Sequence, residues 1–155
     1  MSELASVASG APKVTHVIAR QVIVDFKRKV FGYELFDRSV AHHLHTAASD
    51  AELLFNALSH SEYQEMLTLK PLFVNCTHES LAGGHLELIN PERVVLEIPA
   101  LNGDHIEDIE DRRHVLEDLR GRGFRLAFKH GVLGALYASW LSLASLFKLE
   151  MTMVK

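Results

Sequence analysis

One cysteine is all the chain holds, so no disulfide can close within it. A lone thiol suits a reducing cytosol, and Cys76, next to Asn75, reads as a small buried filler rather than a working nucleophile. Also missing is any run of about 18 apolar residues, which excludes a membrane-spanning helix. Residues 1–13 carry only Glu3 and Lys13 as charges and lack a basic start followed by a long apolar core. They read as a flexible leader rather than a signal peptide. Basic residues are not in surplus: 16 Lys and Arg against 20 Asp and Glu leave a formal net charge of −4, so charge gives no argument for a nucleic-acid polymer. There is no internal repeat and no low-complexity stretch. No Gly-x-Ser-x-Gly turn surrounds Ser139, Ser142 or Ser145, so a serine hydrolase has no support.

What is present is a chain of 155 residues, 48% hydrophobic, long enough for one domain with a substantial core over residues 14–155. Residues 14–25 (VTHVIARQVIVD) are rich enough in β-branched side chains to be a strand. Residues 30–37 (VFGYELFD) return as a second strand after a charged turn, close enough for an antiparallel hairpin. Ser49 and Glu52 have capping-box spacing ahead of Leu53, Leu54, Ala57 and Leu58, which predicts a helix. Then come a strand over 71–75, a weak helix over 79–89 interrupted by Gly83-Gly84, and a strand over 94–98. A clear helix over 104–122 follows, with Ile106, Ile109, Val115, Leu116 and Leu119 as its buried face. A strand over 124–129, a helix over 133–143 and a strand over 146–151 complete the order. Alternating strands and helices imply parallel crossovers, an α/β sheet with helices outside.

Four of these strands end on polar residues that can face a common pocket: Glu34, Asn75, Glu97, and the pair Lys129-His130. Polar groups at successive strand ends are how a β/α barrel builds an active site. Glu, Asn and Glu are oxygen donors suited to a hard divalent cation. Lysine at the fourth corner works against one.

Several segments resemble the EAL domain, in particular the version found in bacterial proteins that pair EAL with HDOD. They are Ile18–Gln21, Gly32–Arg38, Phe73–Asn75, Glu92–Ile98, Gly123–Ala127 and Phe147–Glu150, in register from Ile18 to Glu150. The resemblance implies a TIM-like (β/α) barrel with an antiparallel first strand, and an activity that hydrolyses cyclic di-GMP with two Mg²⁺ or Mn²⁺ ions. It sets Glu34, Asn75 and Glu97 at metal-ligand positions, Arg38 at a phosphate-contacting position, and Lys148 at the lysine near the nucleophilic water.

The departures carry more weight. The family's two adjacent aspartates are here Lys129 and His130, Gly131 replaces the next phenylalanine, and Glu150 replaces the aspartate two places after the lysine. Asp to Lys changes the local charge by two units. At ~4 Å and an effective dielectric near 20, each unit-charge contact is worth about 4 kcal/mol. His130 cannot bridge two ions as a carboxylate does. No metal cofactor is therefore expected; Mg²⁺ or Mn²⁺ enters only if the chain is an active phosphodiesterase after all. The length also departs, since a closed barrel of this kind takes about 250 residues. The expectation is a partial barrel of about six strands, a fragment or a unit completed by association through its open sheet edge.

Glu34 and Glu97 have a plainer reading as a buried ion-pair network with Lys129 and, as a second candidate partner, Lys148. The alternative is a surviving metal site. Asn75 would then hydrogen-bond its neighbouring strand ends. His42, His43 and His45 lie close together, but no cysteine or carboxylate completes a zinc site. His60, His78, His85, His105 and His114 show no pattern. Trp140, Leu141, Leu143 and Leu146 read either as core or as an exposed patch of an open barrel.

Three functions follow from these residues. The first is an inactive EAL-like module that binds a protein partner or itself in cytoplasmic bacterial signalling. The second is a metal-independent receptor that holds cyclic di-GMP through Arg38, Asn75 and Lys129. The third is an active phosphodiesterase.

Overall fold

The computed structural model describes residues 18–37, 70–103 and 106–150. The leader, Arg38, the group His42, His43 and His45, His60, His105 and the helix expected after Ser49 lie outside the described residues.

Six strands form one sheet in chain order: β1 (Ile18–Val24), β2 (Val30–Asp37), β3 (Leu72–Asn75), β4 (Val94–Ile98), β5 (Arg125–Lys129) and β6 (Leu146–Lys148). β1 runs antiparallel to β2, and every later pair is parallel. The result is a curled half-barrel sheet, a partial TIM-like barrel with its first strand reversed.

The hairpin closes because Asp25 caps its own turn. Its Oδ1 accepts from the backbone N–H groups of Lys27 at 2.8 Å and Lys29 at 2.9 Å, and Arg28 takes the left-handed φ of 60° that the reversal requires. Asp25 therefore belongs to the turn rather than to the strand that the sequence extends through it.

One face of the sheet is covered by helices. α1 (His78–Leu81) follows β3, and α2 (Ile106–Gly121) crosses from β4 to β5. Leu72, Val74, Leu96, Ile98, Leu126 and Phe128 pack there against Ile109, Leu116, Leu119 and Trp140, and Cys76 is buried among them. α2 ends where Gly123, at φ 95°, lets the N–H of Phe124 reach back to the carbonyl of Leu119 at 3.0 Å.

Three expectations need correction, and one pair of alternatives is decided. The weak helix over 79–89 is two pieces, α1 and a 3₁₀ turn over Gly84–Leu88. Thr77 caps the first piece through its Oγ1, and Gly83-Gly84 breaks the run. The helix over 133–143 is 3₁₀ rather than α, over His130–Leu133 and Ala135–Leu143, with a kink at Tyr137. Its inward residues Tyr137, Trp140 and Leu143 recur every three positions, the 3₁₀ period. Ile106 is 62% exposed, because it lies about 90° around α2 from the stripe of Ile109, Leu116 and Leu119. Trp140 is fully buried and donates from Nε1 to the carbonyl of Ile109 at 2.9 Å, so it is no part of an exposed patch. Leu141, at 39% exposure, does face outward.

Candidate functional site

Side chains alternate across each strand, so the face opposite the helices carries every second residue. Near the start of the strands that face is apolar: Phe73, Val95 and Ala127 form a small cluster with Leu146 packed on it. Gly32 belongs to the same level. A Cβ there would stand 2.5 Å from the Pro71 carbonyl oxygen and 2.8 Å from the Phe73 ring, so only glycine admits the phenylalanine. Two residues further along each strand come Glu34, Asn75, Glu97, Lys129 and Lys148. The registers Asn75 to Glu97 and Lys129 to Lys148 set them side by side.

These five side chains form one connected network. Lys148 Nζ donates to Glu34 Oε2 at 2.6 Å and to Glu97 Oε1 at 2.7 Å, tying β2 to β4 through β6. Asn75 donates from Nδ2 to Glu34 Oε1 and accepts from Lys129 Nζ at Oδ1. Lys129 Nζ also stands 3.6 Å from Glu97 Oε2, an ion pair beyond hydrogen-bonding reach. Glu97 Oε2 is thus buried with no hydrogen-bond partner.

Burial decides the electrostatics. Glu97 is fully buried and Glu34 is 7% exposed. Removal from water raises the Glu97 pKa, and the Glu34 carboxylate raises it further. The hydrogen bond and charge of Lys148, then the charge of Lys129, oppose that shift only in part. With both carboxylates ionised, two negative charges face two ammonium groups.

His130 and Glu150 do not join this layer. Both are exposed, His130 opening the 3₁₀ turn after β5 and Glu150 following β6. The sequence brought in Lys148 as the lysine near the nucleophilic water and as a second candidate partner of the carboxylates; among the described residues it makes the two shortest lysine–carboxylate contacts. The available signal was alternation: Leu146 and Lys148 repeat the apolar-then-polar step of Val95 and Glu97. The sequence set His78 aside as one of five histidines with no pattern. It is half-buried beside Trp140, with Nε2 at 2.9 Å from the Pro99 carbonyl oxygen, and its burial lowers its pKa.

No protein-family model matches the sequence, and a search of curated proteins returns no match. Solved structures do match. Over 87% of its length the chain superposes on the EAL domain of Mycobacterium smegmatis DcpA, with a TM-score of 0.60, 18% identity and 64% of that chain covered. This is the EAL fold. A manganese/cy-diGMP complex of Klebsiella pneumoniae BlrP1 matches 86% of the chain at a TM-score of 0.55 and 22% identity, covering 39% of that protein. A calcium/cy-diGMP complex of BlrP1 matches 81% at a TM-score of 0.55 and 21% identity, covering 37%. The chain thus spans less than two thirds of the length of each of these EAL-fold proteins.

The two BlrP1 structures are manganese and calcium complexes, and the polar layer here does not fit such a cation. Among the described residues no group of three or more His, Cys, Asp or Glu is placed to hold a metal ion. Glu34, Asn75 and Glu97 are suitable donors. Their oxygens, however, already receive Lys148 and Lys129, and a divalent cation among them would meet two like charges.

Proposed function

We propose that the chain is a non-catalytic EAL-fold module, a protein-interaction and regulatory domain in bacterial cytoplasmic signalling. The observation that carries this reading is Lys129, whose Nζ donates to Asn75 and stands 3.6 Å from the buried Glu97 Oε2, where a two-ion mechanism needs a metal-holding carboxylate. Lys129 and His130 stand at the positions of the metal-binding aspartate pair, and Lys129 brings a positive charge there. Glu34, Asn75, Glu97, Lys129, His130, Lys148 and Glu150 are then vestigial active-site positions.

The partner surface in this reading is the edge of the sheet. β6 has no outer neighbour among the described strands, and Phe147 and Leu149 beside that edge are 50% and 53% exposed. Unpaired strand edges recruit another chain, either a second copy or a protein partner. A monomeric mass at micromolar concentration counts against self-association.

One observation favours a second reading, a metal-independent receptor for cyclic di-GMP. The Lys129 side chain is 37% exposed at the rim, bonded to the Asn75 amide and 3.6 Å from Glu97, so its ammonium is within reach of a phosphate oxygen from solvent. Arg38 would be the companion contact. Calorimetric titration with cyclic di-GMP, with and without Mg²⁺, separates the readings. No binding supports the interaction module, and micromolar binding indifferent to metal supports the receptor. Hydrolysis that needs Mn²⁺ and is lost in Glu34→Ala overturns both.

A further inference from the structure

The end of the sheet opposite the polar layer is cationic. β2, β3, β4 and β5 are parallel and begin there together, and the antiparallel β1 runs out to meet them. Lys29 precedes Val30, Lys70 lies just before Leu72, Arg93 precedes Val94, and Arg125 opens β5. Lys27 and Arg28 belong to the turn between β1 and β2. In a chain of net charge −4 this end therefore stands apart. Lys27, Arg28, Lys29, Lys70 and Arg93 are exposed, and none forms an ion pair among the described residues. Of the carboxylates nearby, Asp25 is spent on the N–H groups of its own turn, Asp118 faces Arg122 at 3.7 Å, and Glu92 is exposed.

The turn also stands proud of its neighbours. Tyr33 is level with Leu72, and Leu72 with Val94, so β2 continues from Val30 to Gly32 beyond the starts of β3 and β4. At about 3.3 Å per residue, the turn projects roughly 10 Å past them. Phe26 on this tip is 91% exposed, with Lys27 Nζ 5.4 Å from its ring centre and the exposed Val24 and Val30 behind it. The Asp25 hydrogen bonds hold the tip in one shape, so docking it costs little ordering. An apolar tip ahead of a shelf of cations matches the boundary of an anionic bilayer. Apolar groups sink about 5–10 Å into that boundary, and each Lys or Arg at the surface adds attraction. A single-stranded polyanion would call for a cationic groove with several stacking rings, whereas here one ring projects beyond the charges.

We propose that the β1–β2 turn is a peripheral membrane contact. Phe26 enters the headgroup region of an anionic bilayer, and Lys27, Arg28, Lys29, Lys70 and Arg93 meet its phosphates. The polar layer at the other end of the strands then faces away from the membrane. This contact uses neither that layer nor the β6 edge, so it holds or fails independently of the function proposed above.

The test is sedimentation of the full chain with vesicles, one set of phosphatidylcholine alone and one of equal parts phosphatidylcholine and phosphatidylglycerol. The chain should sediment with the anionic set at low salt and with neither set at high salt. Phe26→Ser and the pair Lys27→Gln, Lys29→Gln should each weaken that binding by about tenfold without moving Tm. Leu133→Ser, an exposed apolar position beyond the far end of β5, should leave it unchanged. In Phe26→Trp the added indole should shift to the blue and be quenched by brominated lipid tails, in the anionic vesicles only. No binding to the anionic set overturns the proposal, as does binding that Phe26→Ser leaves unchanged. Silence toward vesicles beside binding of single-stranded RNA or polyglutamate gives the tip to another partner and overturns it too.

Discussion

On the helix-covered face of the sheet, Leu96, Leu126 and Phe128 are fully buried against Ile109, Leu116 and Trp140, and the Trp140 indole donates to the Ile109 carbonyl. On the opposite face the same strands end in Glu97 and Lys129, joined to Glu34, Asn75 and Lys148. Apolar packing is non-directional, and each side chain contributes by the area it removes from water. A buried ion network contributes little net stability, yet losing one member leaves an uncompensated charge. The first face therefore accounts for stability. The second is retained at a cost in desolvation, which points to a site and not to a core.

Substitutions can break this contrast. Trp140→Ala should be the most damaging, at about 4 kcal/mol, since it opens a cavity and strands the Ile109 carbonyl. Urea denaturation measures it. Lys148→Met should cost about 3 kcal/mol by leaving Glu34 and Glu97 to repel each other in a buried place. Replacing Glu34 and Glu97 by leucine in that same variant should recover much of the loss. A triple variant as unstable as Lys148→Met would mean that the network is packing and not charge.

Falling and rising pH should loosen opposite faces. Burial holds the His78 pKa below 6.5, so the native state binds fewer protons there than the unfolded chain. Its contribution is present above 6.5 and lost as pH falls toward the native value. Glu97 is the reverse case, with a native pKa raised above 4.5. The native state binds more protons, so that stability is complete below 4.5 and lost as pH rises through the native value. Denaturation across pH should show the acid-side slope flattened in His78→Gln and the other slope flattened in Glu97→Gln. The smallest effect belongs to Lys129→Met, within about 1 kcal/mol, because its side chain is 37% exposed.

Much of this was legible in the sequence where a single local rule decides the outcome. The limits of β4 follow from its apolar run, and the inward-facing Glu34, inside β2, with Asn75 and Glu97 near the ends of β3 and β4, follow from alternation along their strands. The end of α2 follows from Gly121 and Gly123. Legibility failed where packing chooses between periods. Residues 135–143 read equally as α or 3₁₀ until Tyr137 and Trp140 are seen to share one buried line. Lys148 was harder, because its two partners lie 51 and 114 residues away and only the closing curl of the sheet brings all three together.

The account stands most directly on a calorimetric titration of the wild-type chain with Mn²⁺. Lys129, with its charge beside Glu97 where the family has a metal-holding aspartate, predicts no binding. Stoichiometric uptake that disappears in Glu97→Gln would contradict it, and Lys129 would then be the neighbour of a working cation site.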